Sequence, residues 1–457
     1  MSEPESTRPL EAHHVASVVV GAIVGVGIFF TPASLARALP SSAWILAIWA
    51  LGGIASVSGA LVFADLGSRW PKPGGMYVFL REGFGPRVGP PLAFLYGWTQ
   101  LLVVQPGSMA VIALILVDTL GLLTGTIPDG PRQIVAIASI TLFTVANLLG
   151  LKTGGRIQLG MAALKVSALA LIVSLGVAFG RASTVAAPRT VIVAEAWWGP
   201  SHLGNAFAWT IAGLIPVLFS FGGAYHGTYI AGSVRDPERA VPRGILAGIA
   251  VVLVLYLAVN LSFLGILGHD GLARSPSPAA EAAGVAFGHA AEKGLAVVIV
   301  LSAAGILNTI CLGFPFVIYA MAKDGLFFAR AGVLHPKTER PVLAVAAQGA
   351  FACLAVVVGG AQVDLLLTGI AFADALFQGA VAVVHLLHRR SPAPQQRFRA
   401  PLAASVVFLL LELGLALGCL VNTPKESVVG VGLLLAGVIV YFAWAGRRRA
   451  PRKGAAP

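Results

Sequence analysis

Twelve apolar stretches, each close to the length of a bilayer crossing, recur along the chain from end to end. About 20 apolar residues wound as a helix cover a hydrocarbon core of ~30 Å. Inside that core the chain must satisfy its own backbone N–H and C=O groups, so unbroken apolar runs of this length are predicted to be helices. They fall at about 14–37, 43–66, 87–123, 131–149, 157–179, 205–232, 241–267, 292–321, 341–360, 363–387, 402–421 and 428–446. The third is long enough to tilt and is predicted to be interrupted at Pro106-Gly107. Composition agrees, with 57% of residues hydrophobic and 11% charged, against roughly 25% charged in an average chain. A soluble globule is excluded. The polar start, with Glu3, Glu5 and Glu11, lacks the basic region and cleavage site of a signal peptide, so the first stretch is expected to stay in place.

Basic residues orient the bundle. With the N-terminus cytoplasmic, 23 of the 31 Lys and Arg residues fall on inner segments, seven on outer ones, and Lys165 inside a span. Both termini are therefore expected inside, in a plasma (inner) membrane. The net charge of +12 reads as topology, so the lipid bilayer is the expected partner and nucleic acid is not. Cys311, Cys353 and Cys419 all lie in apolar stretches, with no disulfide framework, zinc spacing or redox pair.

The first stretch contains Gly25-Val26-Gly27 where a plain anchor would carry Leu or Ala. Each glycine weakens a helix by about 1 kcal/mol relative to Ala, so the helix is predicted to open there. An unwound turn inside a bilayer is tolerated only where its bare peptide groups line a cavity or meet a ligand. The alternative is a small-residue stripe for close packing, since Gly21 and Gly25 stand four apart. The sixth stretch holds a second interruption, Ser220-Phe221-Gly222-Gly223-Ala224. Two broken segments at matching places, five spans apart, point to two repeats of inverted orientation with a transporter site between them. The predicted organisation is an all-α membrane protein with a cytoplasmic tail (1–13), a first five-span repeat (14–179), an external loop (180–204), a second five-span repeat (205–387), two further spans (388–446) and a basic cytoplasmic tail (447–457).

At the first break the N–H groups of the outer half-helix, from Val26 and Gly27 onward, face the gap, and a helix N-terminus suits a carboxylate. At the second, carbonyls around Phe219, Ser220 and Gly222 lose their helical partners and suit an ammonium group. Donors on one side and acceptors on the other fit an α-amino acid zwitterion. Phe219 or Phe221 is placed to close over it, or simply packs in the core. Lys165 lies roughly 14 Å deep, too far for its amine to reach the interface comfortably. It stands either where a sodium-coupled carrier would hold its ion or as a brace between helices. Asp374 and Glu412 are also deep, each a protonated or helix-bonded carboxylate or a proton site, Asp374 the stronger candidate of the two. Gln105, Ser108 and Asn308 are candidates for a polar path. His385 and His388 read as a solvated interfacial pair rather than metal ligands. No carboxylate pair, nucleophile triad, phosphate loop or metal spacing is visible, so no enzyme activity, metal or cofactor is expected.

The motifs Ile23-Val24-Gly25-Val26-Gly27-Ile28-Phe29, Ala64-Asp65-Leu66-Gly67, Pro73-Gly74-Gly75-Met76-Tyr77, Phe219-Ser220-Phe221-Gly222-Gly223, Val234-Arg235-Asp236-Pro237-Glu238-Arg239 and Met321-Ala322-Lys323-Asp324-Gly325 are similar to those of the amino acid–polyamine–organocation (APC) superfamily. The likeness is to the bacterial relatives of the L-type amino acid transporters. It implies a LeuT-like five-plus-five inverted repeat with helices 1 and 6 broken and two extra helices. It implies carboxylate binding at Val26 and Gly27, amine binding at Phe219, Ser220 and Gly222, Phe219 as gate, and Lys165 in place of a sodium site. Two positions depart from the pattern. Val26 stands where Ser is common, losing a hydroxyl, and Ala224 stands where Trp is frequent, reshaping the side-chain pocket. No external Cys falls in the loop 125–131, so no heavy-chain partner is expected. The expected activity is sodium-independent, alternating-access exchange of neutral amino acids. The alternatives are a cationic amino acid or polyamine carrier using Asp374, and a non-transporting amino acid sensor.

Overall fold

A computed structural model describes residues 10–25, 27–125, 127–149, 151–179, 200–359, 363–391, 393, 396–422 and 424–449. Val26, most of the expected N-terminal tail, the expected external loop over 180–199 and the last eight residues lie outside the described residues. Among the described residues every named element is a helix, and the one β feature is an isolated parallel bridge between Leu10 and Val234.

The first stretch is two helices, α1 (Ala12–Ile23) and α2 (Gly27–Ala38). Ser41 caps α3 (Ser42–Arg69), its hydroxyl accepting from the Trp44 N–H at 3.4 Å. A short α4 (Met76–Gly83) leads into α5 (Gly85–Thr99), which passes through a wide turn at Gln100–Val104 into α6 (Gln105–Thr124). Thus the interruption expected at Pro106-Gly107 is instead a π turn just before it. Proline lacks an N–H and its ring crowds the carbonyl four residues earlier, Leu102, so the helix widens there rather than breaking at the proline itself. Helices α7 (Asp129–Leu148) and α8 (Leu151–Phe179) complete the first half.

The second half begins with α9 (Pro200–Phe221) and a short α10 (His226–Tyr229), separated by a turn. Next come α11 (Pro237–Arg274) and α12 (Pro278–Phe287), the latter inside a segment read from sequence as loop. Gly268, at φ 69°, kinks α11 near its C-terminal end. The remaining helices are α13 (His289–Gly313), α14 (Pro315–Lys323), α15 (Val342–Gly359), α16 (Val363–His388), α17 (Leu402–Asn422) and α18 (Pro424–Arg449).

Eight described segments are long and apolar enough to cross a membrane, and three shorter apolar helices, Val342–Val358, Phe372–His388 and Gly430–Ala443, add to them. Large apolar side chains such as Leu142, Val177, Val254, Leu410 and Ile439 point outward. Surface of that kind is stable against lipid tails, not water. The chain is a multi-pass helical membrane protein.

Helix α1 sits at the centre, against α8, α10, α11 and α13. Its neighbours approach closely because glycines face it: a Cβ on Gly248 would stand 2.7 Å from the Val19 side chain. Polar contacts tie several of the motifs together at one end of the bundle. The Tyr77 hydroxyl donates to Asp324 at 2.8 Å, and Arg81 pairs with the same carboxylate at 2.9 Å. His385 is buried, paired with Asp65 at 3.0 Å and bonded to Ser405. That overturns the reading of His385 as solvated: Asp65 supplies the partner that makes its burial tolerable. The sequence had placed it at the interface because Arg389-Arg390 follow. Its neighbour His388 bonds the Gly83 carbonyl at 2.8 Å.

Candidate functional site

Both glycine-rich segments are interrupted, and the interruptions face each other. Helix α1 ends at Ile23, Val24 leaves helical geometry (φ −70°, ψ 88°), and α2 starts at Gly27. The second interruption falls slightly later than the sequence indicated. Helix α9 runs through Phe221, and the chain then turns over Gly222 to Tyr225. Gly223 has φ +123°, which only glycine adopts without strain, and its missing side chain leaves room for Ala22. A Cβ on Gly27 would stand 2.5 Å from Ser220 Oγ and 3.0 Å from its Cα. The two breaks meet backbone to backbone at that point.

The carbonyls freed by the breaks are partly satisfied. Lys165 Nζ donates to the Gly21 carbonyl at 3.1 Å. Tyr256, from α11, donates its hydroxyl both to the Ile23 carbonyl at 2.7 Å and to the Ser220 carbonyl at 3.1 Å. One side chain therefore stitches the two interruptions. The Phe219 carbonyl accepts from the Gly222 N–H at 3.2 Å. Each carbonyl keeps a second lone pair, so these contacts leave acceptor capacity at both chain ends. Thr31 and Ser220 share a hydroxyl hydrogen bond of 2.8 Å, which joins α2 to α9.

A cavity of about 140 Å³ lies over the breaks. Gly25, Gly27, Phe219, Ser220, Gly222 and Ala224 line it, together with Gln105, Ser108 and Asp374. Two sequence candidates stand elsewhere. Asn308 accepts from Asn147 at 2.9 Å, between α13 and α7, and is absent from the lining. Lys165, 1% exposed, lies behind α1 against Gly305 rather than in the cavity. Val26 falls outside the described residues. Phe221 is buried edge-on against Trp49 and close to Tyr256, which leaves Phe219 as the more exposed aromatic of the pair.

The structure also brings together groups that the sequence did not pair. Gln105 Nε2 donates to Gln100 Oε1 at 2.7 Å, Gln100 Nε2 donates to Asp374 at 2.8 Å, and the Tyr225 hydroxyl donates to Asp374 at 3.2 Å. Glu412, on α17, lines the same cavity as Asp374 on α16. The two acids lie on different helices, and only packing brings them to one cavity. Tyr256 and Thr31 were missed for the same reason. Nothing in their local sequence marks them.

A bundle of apolar helices enclosing a mainly apolar cavity, with a few polar groups at paired helix breaks, is the architecture of a membrane solute carrier. The amino acid permease family matches residues 10–444, and the chain belongs to that family, within the APC superfamily. It is 26% identical over 442 residues to the serine/threonine exchanger SteT of Bacillus subtilis, covering 93% of this chain and 94% of the relative. It is 28% identical over 441 residues to the b(0,+)-type amino acid transporter 1 of Mus musculus, covering 93% and 85%. It is also 25% identical over 434 residues to the cystine/glutamate transporter of Homo sapiens, covering 93% and 83%. These relatives are amino acid transporters or exchangers, and the family assignment makes this chain an amino acid transporter in class.

Proposed function

We propose that the protein is a sodium-independent exchanger of neutral L-amino acids that works by alternating access. The observation that carries this is the meeting of two helix breaks in one cavity lined by Gly25, Gly27, Phe219, Ser220 and Gly222. The substrate carboxylate is held by N–H groups at the start of α2, over Gly25 to Gly27. The ammonium group is held by carbonyls of Phe219, Ser220 and Gly222. Recognition by backbone groups leaves the side chain free to vary, and Phe219 closes over the occupied site. Lys165 donates to the Gly21 carbonyl. Its ammonium group thus supplies at the first break the positive charge that a sodium ion would otherwise bring.

On this reading the chain has twelve spans in a LeuT-like five-plus-five inverted arrangement followed by two more. The repeats cover 14–179 and 205–387, and both termini are cytoplasmic in the plasma membrane. The protein works without a heavy chain, since the loop 125–131 offers no cysteine for a tether. The one reported relative named as an exchanger, from Bacillus subtilis, supports exchange as the mode of transport.

The test is counterflow in proteoliposomes loaded with unlabelled amino acid. Labelled neutral amino acid is expected to accumulate equally in sodium and choline buffers, and Lys165→Ala is expected to lose most of that uptake. Binding without accumulation would make the protein a sensor. Uptake abolished by sodium removal would refute the role given to Lys165.

A further inference from the structure

A second cavity, of about 240 Å³, opens at the end of the bundle where Asp65 and His385 pair. It lies between the C-terminal ends of α3 and α16 and the link 396–400 that leads into α17. A single water needs about 10–15 Å³ of such space, so there is room here for a polar group of several atoms. No residue lines both this cavity and the one over the helix breaks.

Among the described residues the lining carries three guanidinium groups, those of Arg69, Arg389 and Arg399, and one carboxylate, that of Asp65. The carboxylate already has three partners. It accepts from Gln396 Nε2 at 2.6 Å and from the Ala400 N–H at 2.7 Å, and it pairs with His385 at 3.0 Å. Arg69 is held as well, donating to the carbonyls of His388 and Ser391 and lying 4.9 Å over the Trp70 ring. Arg389 and Arg399 are exposed and make no hydrogen bond or ion pair among the described residues. The cavity thus has a fixed positive floor and two uncommitted guanidinium groups at its rim.

Its flank is apolar. Leu387 on α16 and Leu402, Val406 and Leu410 on α17 are all exposed, as side chains against lipid tails are. Basic groups beside a lipid-facing apolar strip fit an anion with a phosphate at one end and acyl chains at the other. The two unesterified oxygens of a phosphodiester only accept, and a guanidinium fork presents paired donors to match them. The excess positive charge disfavours a headgroup that brings its own ammonium. Basic residues at the ends of spans are common as a topology signal, and the exposed Arg390 and Arg397, which do not line the cavity, fit that ordinary case. Arg389 and Arg399 differ because they converge on one cavity from separate segments.

We propose that this cavity binds the phosphate of one anionic phospholipid, with Arg389 and Arg399 as its ligands and the acyl chains lying along α16 and α17. The bound lipid bridges α3, in the first half of the chain, to the α16–α17 pair. The site does not depend on which amino acid the protein carries.

The experiment uses the full chain purified in an uncharged detergent, with phosphatidylglycerol as the probe. Native mass spectrometry is expected to retain one phosphatidylglycerol per chain and no phosphatidylcholine at equal concentration. Arg389→Gln and Arg399→Gln are each expected to weaken phosphatidylglycerol binding about tenfold, the scale of one charge-assisted hydrogen bond. Arg390→Gln is expected to bind as wild type does. All three positions are exposed, so lipid-free melting temperatures equal to that of wild type are expected and confirm that the variants fold. Equal weakening by Arg390→Gln would reduce the effect to general surface charge and overturn the site. Unchanged binding in both cavity variants, or equal retention of phosphatidylcholine, would overturn it too. Inorganic phosphate that raises the melting temperature as much as phosphatidylglycerol does, with the same dependence on Arg389 and Arg399, would make this a site for a free anion and overturn the lipid assignment.

Discussion

Single positions in this protein are constrained by what stands opposite them. Gly27 is the clearest case, because a methyl group there would meet both the side chain and the backbone of Ser220. Flexible side-chain tips give way cheaply, but a Cα in a second broken helix does not. Gly27→Ala is expected to cost about 1–3 kcal/mol through overpacking, seen as a lowered melting temperature, together with at least a severalfold fall in substrate uptake. Wild-type uptake in Gly27→Ala would mean that the two backbones do not need this closeness. The glycine was legible in the sequence as a weak point of a helix. Its contact with Ser220, far along the chain, was not.

At the scale of elements, each half-helix is held by a neighbour rather than by its own ladder. The last carbonyls of a helix have no intrahelical partner, and at the ends of α1 and α9 Tyr256 supplies one hydroxyl to both. Tyr256→Phe keeps the ring against Trp49 and Phe221 and removes only that bridge. The expected loss is about 1–3 kcal/mol of stability, measured by thermal unfolding in detergent, with weaker substrate binding because the two breaks lose their shared anchor. A variant as stable and as tight-binding as wild type would show that water or another donor takes over. The breaks were legible from glycine spacing, to within a few residues. The late turn after Phe221 was not, because helical packing of α9 against α2 and α3 overrides the local weakness at Gly222.

Across the whole molecule, the ends of α7 and α13 and the start of α15 converge on Arg340. It is fully buried and donates to the carbonyls of Asn147, Cys311 and Leu312 at 3.1, 2.6 and 2.9 Å. Those carbonyls belong to the ends of α7 and α13, and Arg340 itself precedes α15. Burial lowers its guanidinium to about 10, so the group keeps its charge at neutral pH. In the sequence Arg340 counted only as one more inner-side charge. In the fold it closes the ends of two helices at once. Arg340→Ala leaves those carbonyls without the donor and is expected to destabilise the bundle by on the order of 3 kcal/mol. Thermal unfolding reads this directly. Retained stability would place the convergence of these helices on apolar packing alone.

Local features of the chain determined that it crosses a membrane repeatedly as helices, and that two of those helices open at glycines. Hydropathy length and helix propensity are properties of consecutive residues, so they can be read without knowing what lies opposite. Tertiary structure alone decided that Tyr256 joins the breaks, that His385 meets Asp65, and that Asp374 and Glu412 share one cavity. Those pairings depend on how helices far apart in the chain pack, and no local pattern encodes the partner of a buried polar group.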